Sequence, residues 1–456
     1  MNTQHLLNRS YGFHPNHVLK RATGTRLIYS LQSSLTTFSP SPRPKDSQHE
    51  RPPAHVSGVN ALTIDKFEGR YLLSGGADSS IALWDLESPS PPTSHNDDPT
   101  YTPLSSVSKT SEEHKLGITQ ISFYPFDSLA FLTSSYDHTV KLYSSETLKA
   151  SASFDLDSVV YNIALSPIAD HLLVACATQH PAVRLVDLRS GASTHSLAGH
   201  SGAILSTAWS PTREHVLASG ATDGSVRFWD IRRSVGELGY LDYEDSIGIT
   251  PSSTLKNNRN AVQGKAHKGP VNGVVWTEDG HHIVTCGHDE RIRVWDTNSG
   301  ANTLANFGPM VRNSGLAPCI PVLAPTEYLD LEKDVIFYPN EHEMLVYEMF
   351  EGQLICRLRR SDQKRVVNEV PEKGQRNAKD RITALAWRAH DVELYSAHAD
   401  GSIVAWKPRT EEDAELDEEE EAEKEEKEEK QHNKKRKRGV LEDIYQDLTT
   451  KKITFS

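Results

Sequence analysis

Residues 217–232 read Leu-Ala-Ser-Gly-Ala-Thr-Asp-Gly-Ser-Val-Arg-Phe-Trp-Asp-Ile-Arg. Ser219 precedes Asp223 by four residues, and Trp229 follows it by six. Apolar and β-branched residues flank the Asp-Gly-Ser turn, so the stretch reads as two strands joined by a tight reversal. The same spacing recurs in Ser74, Asp78 and Trp84, in Thr133, Asp137 and Tyr143, in Thr285, Asp289 and Trp295, and in Ser396, Asp400 and Trp406. Four of the five units also carry an upstream histidine. His55, His114 and His200 stand 23 residues before the aspartate and His267 stands 22 before it, whereas Ala378 falls at that place in the last unit. A period this regular is an internal repeat, and composition alone does not produce it.

The spaced set resembles the WD40 repeat, which implies a four-stranded propeller blade for each unit. Within a unit the chain reads as strands a to d; the first shows Val59–Ile64, Tyr71–Ser74 and Ile81–Trp84 with turn residues between them. Two further blades follow from strand rhythm. Val159–Ser166, His171–Ala175 and Val183–Asp187 form one, with His180 at the aspartate position and Asp157 23 residues before it; this is either an exchanged polar pair or a coincidence. Val335–Phe337 and Met344–Tyr347 form the other, without histidine or aspartate. The expected fold is therefore all-β, a seven-bladed WD40 β-propeller with a short N-terminal helical segment and a disordered charged C-terminal tail. A strand over Thr25–Ser33 is expected to close blade 7, and two short helical pieces are expected within residues 3–21. The domain division is 1–24, 25–408 and 409–456, and the Ser/Pro-rich stretches 36–53 and 87–100 read as solvated loops.

The formal net charge of −13 belongs to the tail. Residues 411–430 hold 14 Asp/Glu and 3 Lys, a net of −11, so the remaining chain sums to about −2. The propeller thus carries no overall bias towards nucleic acid. Cys176, Cys286, Cys319 and Cys356 form no CxxC pair and no metal-ligand spacing, so no metal is expected; Cys176 and Cys286 read as buried thiols in a reducing compartment. No apolar stretch approaches the roughly 18 residues of a membrane helix, and no signal-peptide core stands at the N-terminus.

A His, Asp, Ser/Thr and Trp set invites comparison with nucleophilic catalysis. Repetition argues against it, because a catalytic set occurs once, in a cleft. A hydrogen-bonded chain that satisfies buried polar groups in each blade explains the recurrence. No nucleophile elbow or phosphate loop is present, so neither an enzyme nor a cofactor is expected.

Residues 217–232 also look like the WDxR box of WD40 proteins that dock on the adaptor of cullin-four ubiquitin ligases. The likeness falls on Asp223, Trp229, Asp230 and above all Arg232, whose planar fork suits directed bonds to partner acceptors. Many propellers contain the box without such docking, and that alternative stays open. Val186-Asp187-Leu188-Arg189 echoes it, making Arg189 a second candidate. Strands alternate in direction, so d–a and b–c turns share one rim and a–b and c–d turns share the other. Arg232 then lies on the c–d rim, opposite the insertions near 244–264 and 360–379. Nine Lys/Arg from Arg357 to Arg381 flank the second insertion. They fit a solvated surface, an acidic protein partner or DNA phosphates; no interleaved aromatics favour the last.

The stretches EGRYLLSGGADSSIALWDLE (68–87), YPFDSLAFLTSSYDHTVKLY (124–143), VRFWDIRR (226–233) and SGANTLANFG (299–308) resemble Cockayne syndrome A-type WD40 proteins, in collinear order from about residue 20 to 407. The resemblance implies a non-catalytic substrate receptor of a cullin-four RING ubiquitin ligase, acting in transcription-coupled nucleotide excision repair. Its partners would be the ligase adaptor, a propeller protein of the damaged-DNA-binding family, together with repair or transcription proteins as substrates. The chain would act as one copy within a hetero-complex, and residues 3–21 would help grip the adaptor. The 360–379 insertion and the tail depart from the family pattern. Lys434, Lys435, Arg436, Lys437 and Arg438 read as a nuclear import signal or as a charge block balancing the acidic run. Leu441, Ile444, Tyr445 and Leu448 then share one helical face. A histone or chromatin chaperone, or a scaffold without ligase contact, is the competing reading.

Overall fold

Strand propensity and turn chemistry resolve into seven antiparallel sheets in the computed structural model, which describes residues 12, 15–34, 36–40, 53–89, 99–108, 113–168, 171–191, 193–233, 236–243, 264–330, 333–360 and 381–409. Blade 1 is Val59–Ile64, Tyr71–Gly76, Ile81–Asp85 and Pro103–Val107. Blade 2 is Ile118–Tyr124, Asp127–Ser135, Thr139–Ser144 and Ala150–Asp155. Blade 3 is Val160–Leu165, Leu173–Thr178, Ala182–Asp187 and Ser193–Ala198, and blade 4 is Ile204–Trp209, Val216–Ala221, Val226–Asp230 and Glu237–Tyr240. Blade 6 is Val322–Leu323, Val335–Pro339, Met344–Glu348 and Leu354–Leu358. Strands b and c are the most buried, as in Val216–Ala221 and Val226–Asp230, where every residue is inside. Their apolar faces meet between blades in a chain of clusters around the ring.

Blade 5 departs from the four-stranded expectation. Val271–Trp276, His282–Gly287 and Arg291–Asp296 pair normally, but the fourth strand shrinks to one bridge between Trp295 and Asn302. The Asn302 side chain accepts the Leu304 N–H at 2.9 Å, and Leu304 takes a φ of 59°, so an Asx turn ends the ladder.

Blade 7 joins Ile382–Trp387, Leu394–His398 and Ile403–Pro408 to Leu31–Ser33 near the N-terminus, with Leu31 opposite Pro408 and Ser33 opposite Trp406. Closure by an N-terminal strand is present, but the strand expected over Thr25–Ser33 is confined to its last three residues. Thr25–Tyr29 instead end a helix, Pro15–Tyr29; of the two helical pieces expected within 3–21, the part before residue 15 lies, but for Gly12, outside the described residues. Tertiary packing overrides their β-branched character: Ile28 is fully buried, and the Thr25 hydroxyl donates to the Arg21 carbonyl and accepts the Asp330 N–H, both at 2.9 Å. The helix lies on the turn Thr326–Tyr328, in the a–b connection of blade 6. Gly24 permits that approach, since an added Cβ would overlap the Tyr328 carbonyl oxygen and lie 2.9 Å from its Cβ. Gly24→Val is expected to lift the helix from the ring, read as greatly increased tryptic cleavage at Arg21 and Arg26 with little change in cleavage within the blades.

The stretches read as solvated loops are also corrected in part. Thr37–Phe38 pairs in parallel with Thr100–Tyr101. Phe38 stacks on Tyr101 at 4.8 Å and meets Trp84 edge-on at 5.3 Å, buried at the seam of blades 7 and 1. One aromatic among Ser and Pro gains enough apolar burial to order its segment.

A bulge at the second residue of strand a recurs in blades 1, 2, 3, 4, 5 and 7. It turns that side chain towards the next blade: Asn60 donates to the Ile118 carbonyl at 2.9 Å, Thr119 to Val160 at 2.8 Å, and Thr383 to Val59. These bonds lace inner strands around the central channel.

Candidate functional site

The tetrads come together inside the blades. In blade 4, Trp229 Nε1 donates to Ser219 Oγ at 2.7 Å, and His200 Nε2 lies 2.7 Å from the same oxygen. His200 Nδ1 lies 2.9 Å from Ser225 Oγ, which donates to Asp223 at 2.6 Å, so a hydroxyl relays the histidine to the aspartate. Blade 1 uses the Ser80 hydroxyl in the same way between His55 and Asp78, with Ser74 bonded to both His55 and Trp84. Direct contacts occur in blade 2, His114 to Asp137 at 3.0 Å, and blade 5, His267 to Asp289 at 2.8 Å; Thr133 and Thr285 accept their places behind them. Trp295 donates to Thr285 at 2.9 Å.

Two units differ from the spacing rule. The Tyr143 hydroxyl donates to Glu113, not to Thr133, because the phenol projects past the strand where an indole N–H would stop. In blade 7, Trp406 donates to Ser396 at 2.8 Å, but the missing upstream histidine is replaced by His398, 2.9 Å from Ser396. Arg360 holds Asp400 there at 2.7 Å. The clue was a histidine two residues after the serine, a spacing no other unit uses. Asp157 and His180 are both exposed, and no side-chain bond joins them among the described residues.

Burial alone would raise the carboxyls of Asp78, Asp137, Asp223 and Asp289. Hydrogen bonds from the imidazoles and neighbouring hydroxyls or amides outweigh it and hold all four well below the carboxylate range. Burial depresses His200 and His267, keeping the imidazoles neutral. The four cysteines are unpaired, and burial pushes the Cys176 thiol up to about 12. Among the described residues no group of three or more His, Cys, Asp or Glu is placed to hold a metal, and no helix is long and apolar enough to cross a membrane.

The WDxR residues separate in space. Trp229 is 1% exposed within the blade, and Asp223 sits in the b–c turn on the opposite rim from Arg232. At the c–d turn the nearly buried Asp230 carboxylate accepts the Arg232 N–H at 3.1 Å, Nε at 3.0 Å and a terminal nitrogen at 2.9 Å. The Arg232 side chain remains 65% exposed. The Arg232 hydrogen bond holds the Asp230 carboxyl below its usual range. Asp230 thus fixes one edge of the guanidinium and leaves its other donors facing outwards. Arg189 stands exposed at the matching turn of blade 3, its N–H on Asp187 at 3.0 Å.

Sequence reasoning missed the apolar company of Arg232. On the same rim, the a–b turns of blades 1 to 3 expose Phe67 (50%), Phe126 (49%) and Ile168 (37%), and the start of strand b in blade 2 exposes Leu129 (54%). The channel mouth between them, about 490 Å3, is lined by Phe67, Tyr124, Pro125, Pro167, Pro211 and Trp276 among others. The helix Pro15–Tyr29 packs on this rim too, through Thr326–Tyr328. Arginine and aromatic residues around an apolar centre are the composition of protein-binding surfaces.

Seven blades, five of them carrying the repeated buried polar set, define a WD-repeat propeller, a class of scaffolds and receptors more than of catalysts, and the family WD domain, G-beta repeat matches residues 47–85, 105–144, 191–230 and 260–296. WD repeat-containing protein ATCSA-1 of Arabidopsis thaliana is 30% identical over 415 residues, covering 78% of this chain and 86% of that protein. The chain belongs to this CSA-like WD40 family. Ribosome biogenesis protein ytm1 of Neurospora crassa is 29% identical over 53% of the chain and 54% of its own length. Radiation-sensitive protein 28 of Saccharomyces cerevisiae is 27% identical over 44% of each. The chain therefore spans about half of these last two relatives.

Proposed function

We propose that the chain is the substrate-recognition subunit of a cullin-four RING ubiquitin ligase, serving transcription-coupled nucleotide excision repair in the nucleus. The observation that carries this reading is the convergence of Arg232, locked by Asp230, and the helix Pro15–Tyr29 on one apolar rim. An adaptor is held there by arginine donors, the exposed aromatics and the helix, and the b–c and d–a rim is left for cargo. CSA-like family membership supports the assignment. Lys434 to Arg438 would provide nuclear import; like the insertions at 244–263 and 361–380 and the segment 441–448, they lie outside the described residues.

The test is capture of the cullin-four adaptor from nuclear extract by wild type and Arg232→Glu. Reversing a charge that faces a partner acceptor costs about 2–5 kcal/mol, so adaptor capture is expected to fall by about thirtyfold or more. Equal capture by both proteins, or none by either, overturns the proposal. Histone binding that survives Arg232→Glu and is lost on deleting 411–430 would establish the chaperone function instead.

A further inference from the structure

The opposite rim holds a pocket of different character. Arg312, Arg357, Arg359 and Arg360 beside it each face a carboxylate: Glu290 at 2.7 Å, Glu343 at 2.5 and 2.8 Å, and Asp400 at 2.7 Å. Arg381, immediately before strand a of blade 7, does not. Its guanidinium has no hydrogen bond or ion pair among the described residues, and it opens half-buried onto a cavity of about 110 Å3. The Gln120 amide and the Tyr136 hydroxyl line the same cavity and likewise have no partner among the described residues. None of the described residues lining it is acidic; Leu62, Ile320 and Leu385 supply apolar walls. Asn60 and Thr383 also reach it, but one Asn60 amide hydrogen and the Thr383 hydroxyl hydrogen are spent on the carbonyls of Ile118 and Val59.

Three unspent donors, one of them a fixed positive charge, converge where no carboxylate answers them. The space suits one side chain, since pockets for whole small ligands run to about 300–1,000 Å3. Exposed Leu116 (51%), Leu316 (57%) and Tyr136 (37%) belong to the turns leading into the mouth. We propose that this pocket receives an oxyanion-bearing side chain, carboxylate or phosphate, from an extended segment of the bound protein. Arg381 takes the anion, Gln120 and Tyr136 donate to it, and Leu116 and Leu316 cover apolar neighbours of the anionic residue. The proposal deepens the receptor reading and rests on it only in placing cargo on this rim, so it is tested without the adaptor.

The probes are fluorescein-labelled nonapeptides with leucines flanking a central Glu, phosphoserine or Gln, titrated against the full chain by anisotropy. The Glu or phosphoserine peptide is expected to bind about tenfold or more tightly than the Gln peptide, the scale of a charge-assisted hydrogen bond. The stronger of the two anionic peptides identifies the source of the oxyanion. Arg381→Gln is expected to erase the preference at an unchanged melting temperature, while Arg359→Gln keeps it. Should Arg381→Gln fail to fold, Tyr136→Phe, on an exposed turn, is expected to weaken the preferred peptide severalfold. Equal binding of all three peptides, a preference that survives Arg381→Gln, or unchanged binding by Tyr136→Phe overturns the assignment. Arg381-dependent binding of a single-stranded oligonucleotide with no peptide binding also overturns it.

Discussion

Glu237→Ala is expected to destabilise the protein by about 3–5 kcal/mol, the cost of stranding one partner of a buried ion pair. Arg227, in strand c of blade 4, is 1% exposed, and its guanidinium meets the Glu237 carboxylate at 2.5 Å. Nε and one terminal nitrogen of Arg227 have no partner within the described residues, so the cation already depends on Glu237. Alanine leaves that charge buried beside Trp229 and Leu197 without its counter-ion. Glu237→Gln keeps an acceptor and should cost less. Combining Arg227→Met with Glu237→Gln removes the charge altogether and is expected to recover most of the loss. Urea unfolding followed by tryptophan fluorescence measures all three. A cost below about 1 kcal/mol for Glu237→Ala would show that the pair contributes no more than a surface one.

Acidification is expected to weaken the ring in two stages. Burial lowers the folded-state pKa of His200 and His267, so the unfolded chain binds more protons once the pH falls below about 6.5. Asp78, Asp137, Asp223 and Asp289 are also depressed in the folded state, and Asp400 shares the direction. Their stabilisation is complete above the unfolded carboxyl value of about 3.9 and is lost as pH falls towards the folded values. Both stages have the same sign. The urea midpoint should be level above about pH 6.5, fall gently to about pH 5 and drop steeply below about pH 4. Asp289→Asn should reduce the lower slope. A midpoint that rises between pH 6.5 and pH 4 would contradict the assignment of neutral imidazoles and ionised aspartates.

The interval from Asp223 to Trp229 was sufficient to place strands b and c of five blades, because in four of them a buried indole N–H meets a buried hydroxyl across adjacent strands, and in the fifth Tyr143 fills the indole's place. Blades 3 and 6 were legible from strand rhythm alone. What spacing could not express was the substitution of one chemical group for another in space. His398 does the work of an upstream imidazole from within its own strand, and Arg360 reaches Asp400 across forty residues of sequence. The hydroxyls of Ser80 and Ser225 are ordinary turn residues on paper and proton-sharing relays in the fold. The helix Pro15–Tyr29 was misread over Thr25–Tyr29 because its β-branched residues announce a strand; burial of Ile28 and the Tyr328 contact at Gly24 prevail over propensity.

The repeated sequence by itself determined the seven-bladed ring, its closure near the N-terminus and the side of the ring on which Arg232 must stand, since strand direction alternates without exception in an antiparallel blade. Only the tertiary structure decided which side chains are available. Trp229 belongs to the core, Asp223 to the far rim, and Arg232 is presented because Asp230 is buried behind it. Availability is a balance between satisfied and unsatisfied groups, and the partners that satisfy a group are brought together only when the ring closes.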